Sequence, residues 1–300
     1  MDMIHGVAVD AGSGLEAAIR TARGPRAQAD DLRTFKRCVL EALGTDASTV
    51  LVDATLGPGL LQHYPQGCTP MLAYEADVYH ISDADRITVL PKDLRVQDYS
   101  GLGVKMLKFF MYYAPDDDPK NNARKQKLVA EVGQACHENG VKFLMEPLVY
   151  HPSIAPGTPE FADIKPELVR RSTALFAAPP FQVDVLKVEV PVDLAYVEGF
   201  GTPHISREAA LEAFRTAAAP AEGCGLVYLS AGMAFDWFEA ALGMAREAGV
   251  AFNGFMCGRA IWSDAVEVFG THGEDKLRTW LEETGCARLK RLIAAVEEGD

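Results

Sequence analysis

The 300-residue chain has no C-x-x-C pair, no H-x-H or H-E-x-x-H spacing and no run of five like charges. Each absence removes a class of function. The six cysteines (Cys38, Cys68, Cys136, Cys224, Cys257, Cys286) are scattered, which reads as free thiols in a reducing cytoplasm rather than a disulfide frame or zinc knuckle. The seven histidines give no metal site by spacing. No apolar stretch reaches the roughly 18 residues that a membrane helix needs. The opening Met1-Asp2-Met3-Ile4-His5-Gly6 lacks the basic and apolar regions of a signal peptide. A soluble, cytoplasmic protein is expected. The formal net charge of −13 disfavours nucleic acid or an anionic membrane as a partner, while leaving room for a local basic pocket around an anionic metabolite. G-x-S-x-G and Walker motifs are missing, and Asp10-Ala11-Gly12-Ser13-Gly14 stands where a dinucleotide fingerprint would follow the first strand. There is no internal repeat, low-complexity tract or interdomain linker.

What the chain does have is core material, at 48% hydrophobic and 24% charged residues. Short β-branched and aromatic runs predict strands at Val7–Ala11, Val50–Ala54, Met71–Glu75, Met106–Tyr113, Phe143–Tyr150, Val183–Val190, Leu226–Ala231 and Phe252–Cys257. Amphipathic segments predict helices at Asp31–Leu43, Ala123–Asn139, Lys165–Ala177, Ser206–Ala218, Phe235–Ala248 and Gly273–Glu298, the last broken near Gly285. Ser206 with Glu208 caps one helix, and Gly140 and Gly249 end two others. Strands that each feed a helix point to an α/β fold, a single (β/α)8 barrel (TIM barrel) over residues 1–300. An open doubly wound sheet is the rival. The segment Val78–Gly103 is poorly punctuated, Asp116-Asp117-Asp118-Pro119 reads as a solvated connection, and Trp237, Phe238 and Leu242 read as a helix face packed on the sheet.

Two strands carry charge where a barrel interior should be apolar. In Val183–Val190, alternation points Val185, Lys187 and Glu189 one way and the aliphatic Leu186, Val188 and Val190 the other, against helices. Glu146 and, in the preceding strand, Lys108 share the inward phase. An interior lysine is costly unless paired or deprotonated. An ordinary buried Lys187–Glu146 ion pair is the plain reading. Three ionisable groups on adjacent strands favour chemistry instead, with Lys108 lowering the lysine's proton affinity and Glu146 moving protons. Ser230, Gly232, Gly258 and Arg259 end strands 7 and 8, where barrels often hold phosphate. Asp10 and Asp53 end strands 1 and 2, and either hold substrate hydroxyls or cap the next segment. Among the histidines only His151, just past strand 5, lies near these residues.

The segments Leu107-Lys108-Phe109-Phe110-Met111-Tyr112-Tyr113, Phe143-Leu144-Met145-Glu146 and Asp184-Val185-Leu186-Lys187-Val188-Glu189-Val190-Pro191-Val192 resemble the class I tagatose-1,6-bisphosphate aldolase family. So do Tyr196-Val197-Glu198-Gly199-Phe200, Tyr228-Leu229-Ser230-Ala231-Gly232 and Phe252-Asn253-Gly254-Phe255-Met256-Cys257-Gly258-Arg259-Ala260. The likeness runs in order over residues 104–285 and is looser before them. It implies a metal-independent aldolase without a cofactor that cleaves a ketose phosphate to dihydroxyacetone phosphate and an aldehyde. Lys187 would be its Schiff-base lysine, Glu146 the acid/base and Lys108 a second active-site lysine. Ser230, Gly232, Gly258 and Arg259 would receive the phosphate. Family habit adds a homo-oligomer. One motif departs: the family's first strand ends in Asp-Gln-Arg, whereas Asp10-Ala11-Gly12 stands here, which opens the identity of the aldehyde half. The related sulfofructose-phosphate aldolases share the Lys-Val-Glu strand.

Overall fold

Eight parallel strands close a barrel in chain order, β1 against β2 and so on round to β8 against β1. The computed structural model describes residues 2–297, so the expected helix end at Glu298 lies outside the described residues. The strands are β1 (Ile4–Ala8), β2 (Thr49–Val52), β3 (Thr69–Ala73), β4 (Met106–Tyr113), β5 (Lys142–Val149), β6 (Val185–Glu189), β7 (Gly225–Leu229) and β8 (Gly254–Cys257). Each expected strand is present, with ends displaced by up to three residues. The helices are α1 (Ser13–Arg23), α2 (Asp31–Leu43), α3 (Asp98–Gly101), α4 (Pro119–Glu138), α5 (Pro159–Phe176), α6 (Arg207–Ala218), α7 (Phe235–Glu247), α8 (Arg259–Trp262), α9 (Ala265–His272), α10 (Glu274–Trp280) and α11 (Cys286–Glu297). A π turn at Leu281–Gly285 separates the last two, at the expected break.

Not every strand feeds a full helix. Between β2 and β3 runs a 3-10 turn, Gly57–His63, and between β3 and β4 a long irregular segment with only Val78–His80 and α3 ordered as helix. The second is the poorly punctuated stretch, and it crosses the barrel mouth.

The strands sort their side chains as alternation requires. Ile4, Leu51, Met71, Leu144, Val185, Val227 and Met256 form a dry plug inside the barrel. Leu186, Val188 and Val190 join the larger layer between strands and helices. On α7, Phe238 and Leu242 are fully buried, but Trp237 is 38% exposed and lies off that face, a correction to the expected stripe. Ser206 caps α6 by accepting from the Ala209 N–H. Ser172 and Thr173 on α5 are buried beside its apolar face. No helix of the described residues is long and apolar enough to cross a membrane.

Candidate active site

Above the aliphatic plug the inward positions turn ionic. Lys108 is the third residue of β4, Glu146 lies in β5 and Lys187 in β6, and all three are less than 9% exposed. Lys187 Nζ stands 3.0 Å from Glu146 Oε1, and Lys108 Nζ stands 2.9 Å from Glu146 Oε2. Lys108 also donates to Asp10 Oδ2 at 2.8 Å and to the carboxylate of Glu75 just past β3. One carboxylate thus bridges two lysine nitrogens, and Lys108 faces carboxylates. The repulsion expected from Lys108 is screened by Glu146.

Local sequence explains how Glu146 is reached. Pro147 offers no N–H to a ladder. Pairing of β5 with β6 is confined to Leu144–Val185 and Met145–Leu186, just below it. The Val149 N–H beyond the proline donates instead to Glu189 Oε2 at 2.7 Å, and Lys165 of α5 meets the other oxygen of Glu189 at 3.6 Å. The seam between the strands bearing Glu146 and Lys187 is therefore closed by a side chain.

The electrostatics follow from burial and crowding. Burial opposes the charge on Lys108, but Asp10, Glu146 and Glu75 together hold its proton affinity well above the ordinary lysine value. For Asp10 burial acts upward, yet Lys108 and Lys187 keep it below the usual carboxylate range. Glu75 is pushed up to about 7, by burial first, with Lys108 opposing and Asp10 adding.

The cluster forms the floor of a cavity of about 1440 Å³. Ser230, Gly232, Gly258 and Arg259 line its β7–β8 side. Ala231 and Gly232 are both left-handed, at φ +48° and +80°, a conformation that costs alanine roughly 1–2 kcal/mol. A Cβ on Gly232 would lie 3.2 Å from the Arg259 guanidinium carbon, so the glycine lets that group lie flat against the turn. Gly258 is equally constrained: its Cβ would meet the Ala8 carbonyl at 2.1 Å. Arg259 is exposed and makes no ion pair with the described residues.

Asp53 resolves toward capping. It accepts from the Thr55 and Leu56 N–H groups, and its other oxygen pairs with the fully buried Lys36. His151 lines the cavity, but its Nδ1 accepts from Ile154 N at 3.1 Å and serves its own loop. The Asp116–Asp118 loop is more than a solvated connection. Asp118 caps α4, Asp116 pairs with Arg171, and Asp117 accepts from the Tyr150 hydroxyl. Sequence reading passed over Glu75, although a carboxylate ending a strand in the way Asp10 does was a usable signal.

A closed (β/α)8 barrel with this ionic floor at the C-terminal ends of its strands is the build of a barrel enzyme. The model of the DeoC/LacD family aldolases matches residues 4–264, and the chain belongs to that family. It is an aldolase, a lyase. Among its relatives, the tagatose 1,6-diphosphate aldolases of Staphylococcus aureus strains MSSA476 and JH9 are each 35% identical over 270 residues, covering 89% of this chain and 82% of theirs. Fructose-bisphosphate aldolase from Plasmodium falciparum shares the fold at a TM-score of 0.70 and 15% identity, over 98% of this chain and 91% of that one.

Proposed function

We propose that the protein is a Schiff-base aldolase cleaving a ketose phosphate, of the type of tagatose 1,6-bisphosphate, into dihydroxyacetone phosphate and an aldehyde. The observation that carries this reading is a buried lysine amine 3.0 Å from a carboxylate on the floor of a cavity. That contact gives the proton Lys187 must shed an acceptor within the site, without recourse to solvent.

The amine attacks the C2 carbonyl to form a carbinolamine. Glu146, now protonated, returns its proton to the departing hydroxyl, water leaves, and an iminium remains. The Glu146 carboxylate then takes the proton of the C4 hydroxyl while the C3–C4 bond breaks. The electron pair moves into the iminium, leaving an enamine and a free aldehyde. Protonation at C3 by Glu146 and addition of water release dihydroxyacetone phosphate and restore Lys187. The cationic iminium is the electron sink. Lys108 binds Asp10 and Glu75 and fixes the far oxygen of Glu146, so the acid/base is held in one orientation. Ser230 and Arg259 line the same cavity, and in this reading they receive the C1 phosphate, the arginine bidentately.

The departure at Asp10-Ala11-Gly12 bears on the substrate alone: it opens the identity of the aldehyde half, so the same chemistry would serve a ketose phosphate whose far end differs from that of tagatose bisphosphate.

The test is covalent trapping. Incubation with dihydroxyacetone phosphate and borohydride should place the added mass on the peptide bearing Lys187. Lys187→Ala should give neither adduct nor turnover while keeping the circular dichroism of the parent. An adduct elsewhere, or near-normal turnover in the variant, defeats the assignment.

A further inference from the structure

At the β1–α1 corner of the mouth, Asp77 and Tyr79 occupy the space that a side chain at position 12 or 14 would take. A Cβ on Gly12 would lie 2.8 Å from the Asp77 carboxyl carbon, and one on Gly14 would lie 2.2 Å from the Tyr79 ring. Asp77 Oδ2 accepts from the Ser13 N–H at 2.6 Å, fixing the β3–β4 segment over that corner. The same segment then carries Arg86 to the cavity.

Arg86 is built in. It is half-buried, and its backbone is left-handed at φ +50°, a strained choice for a residue with a Cβ. Both sides of it are tethered: Asn121 Nδ2 donates to the Asp85 carbonyl at 2.9 Å, and Thr88 Oγ1 donates to the Phe110 carbonyl at 2.6 Å. The guanidinium carbon lies 4.3 Å from the centre of the Tyr150 ring and 5.6 Å from that of Tyr112. Tyr150 is itself immobilised, its hydroxyl donating to Asp117 and accepting from the fully buried Lys125 at 2.9 Å.

Among the described residues no acid lies within ion-pair distance of this arginine. Arg33, also lining the cavity, is paired with Asp30 at 3.2 Å, and Asp85 turns to Arg124 at 3.6 Å. Arg86 makes no ion pair with the described residues; aromatic faces hold its plane and leave its N–H edge for a ligand. Tyr112 and Tyr150 lie four residues beyond Lys108 and Glu146 on the same inward phase, about 13 Å up the strands at ~3.3 Å per residue. That rise sets the tyrosines that hold the guanidinium above Glu146, on the wall of the same cavity.

We propose that Arg86 binds the anionic terminus of the aldehyde half, the end opposite the phosphate received beside Ser230 and Arg259. The inference rests on the Schiff-base reading above, and it identifies the substrate as a ketose with an oxyanion at both ends.

The test runs the reaction in the condensation direction, where the acceptor can be chosen. Enzyme and dihydroxyacetone phosphate are supplied with glyceraldehyde 3-phosphate, with a sulfonated aldehyde of the same length, or with uncharged glyceraldehyde. Arg86→Ala should lower kcat/KM for whichever anionic acceptor the parent prefers by about 100-fold, chiefly through KM, and leave glyceraldehyde within about twofold. Arg86→Lys should recover part of the loss. The preferred anion distinguishes phosphate from sulfonate. Borohydride trapping of dihydroxyacetone phosphate on Lys187 should be equal in parent and variants. No adduct in the parent overturns the Schiff-base reading. A normal adduct with equal losses for charged and uncharged acceptors, or with no loss, overturns the Arg86 assignment alone.

Discussion

Lys108 has three carboxylates within ion-pair distance, and a single ammonium does not require all three to be ionised. Asp10 is held low by the lysines against its own burial, whereas burial pushes Glu75 up to about 7. Its ordinary value is 4.5. The unfolded chain therefore ionises Glu75 before the folded one does. The stability that Glu75 contributes is fully present below 4.5, is lost as pH rises from 4.5 to 7, and is level above that, a loss on the order of 3 kcal/mol from this group. Glu75→Gln, which mimics the protonated form, should gain stability over the parent as pH rises through this window. Urea denaturation of both proteins from pH 5 to 8 checks it; a difference that is flat with pH would refute the shift. Lys108, Glu146 and Lys187 were legible in the sequence because each interrupts an apolar alternation inside a strand. Glu75, which closes the expected strand Met71–Glu75, offers a weaker signal, because a carboxylate at a strand end ordinarily caps the next turn. Arg86 escaped for a related reason. Its position depends on a left-handed turn in an irregular segment, and no periodicity encodes that.

Element by element, the legible parts are those with a strong local signal and a partner to bury against. Asp31–Leu43 was read to the residue because Phe35, Val39, Leu40 and Leu43 make a continuous apolar face. The segment Ser13–Arg23 was missed, since only Leu15 and Ile19 are buried on it and its companion is α9, which was also missed. The crossings after β2 and β3 failed for the opposite reason: eight-fold regularity was assumed where the chain runs irregularly over the mouth. Helix α4 shows how packing overrides propensity. Gly133 faces Phe181, whose carbonyl oxygen would lie 2.0 Å from an added Cβ, with a Phe143 ring carbon at 3.3 Å. Alanine is favoured over glycine in a helix by about 1 kcal/mol. Overpacking against backbone costs about 1–3 kcal/mol and has no flexible neighbour to absorb it here. With the clash toward the upper end of that range, Gly133→Ala is expected to destabilise by up to about 2 kcal/mol, read as a lower urea midpoint at unchanged slope. A raised midpoint would show that propensity wins.

For the molecule as a whole, the decisive contact joins its two ends. Pairing of Ile4 with Gly254 and of Val7 with Cys257 brings together residues some 250 positions apart, so the barrel closes only after nearly the whole chain is ordered. The mouth depends on that closure. Trp262 Nε1 donates to the Ala8 carbonyl at 2.8 Å, and Gly258 packs against the same carbonyl, placing Arg259 opposite Gly232. Gly254 starts the seam at φ +110°, a region closed to side chains, and its Cβ would meet the Ile4 carbonyl at 2.2 Å. Gly254→Ala must therefore either twist β8 away from β1 or strain both, and a loss above about 3 kcal/mol is expected. The two routes separate experimentally. An opened seam wets the indole of Trp262, red-shifts its emission and lowers turnover per folded molecule. Strain with the seam intact lowers stability but leaves emission and turnover per folded molecule unchanged. We expect the first, because the clash is with the backbone of Ile4 in β1 and no side chain can move to relieve it. Unaltered emission together with parental stability would show that closure does not hinge on this glycine.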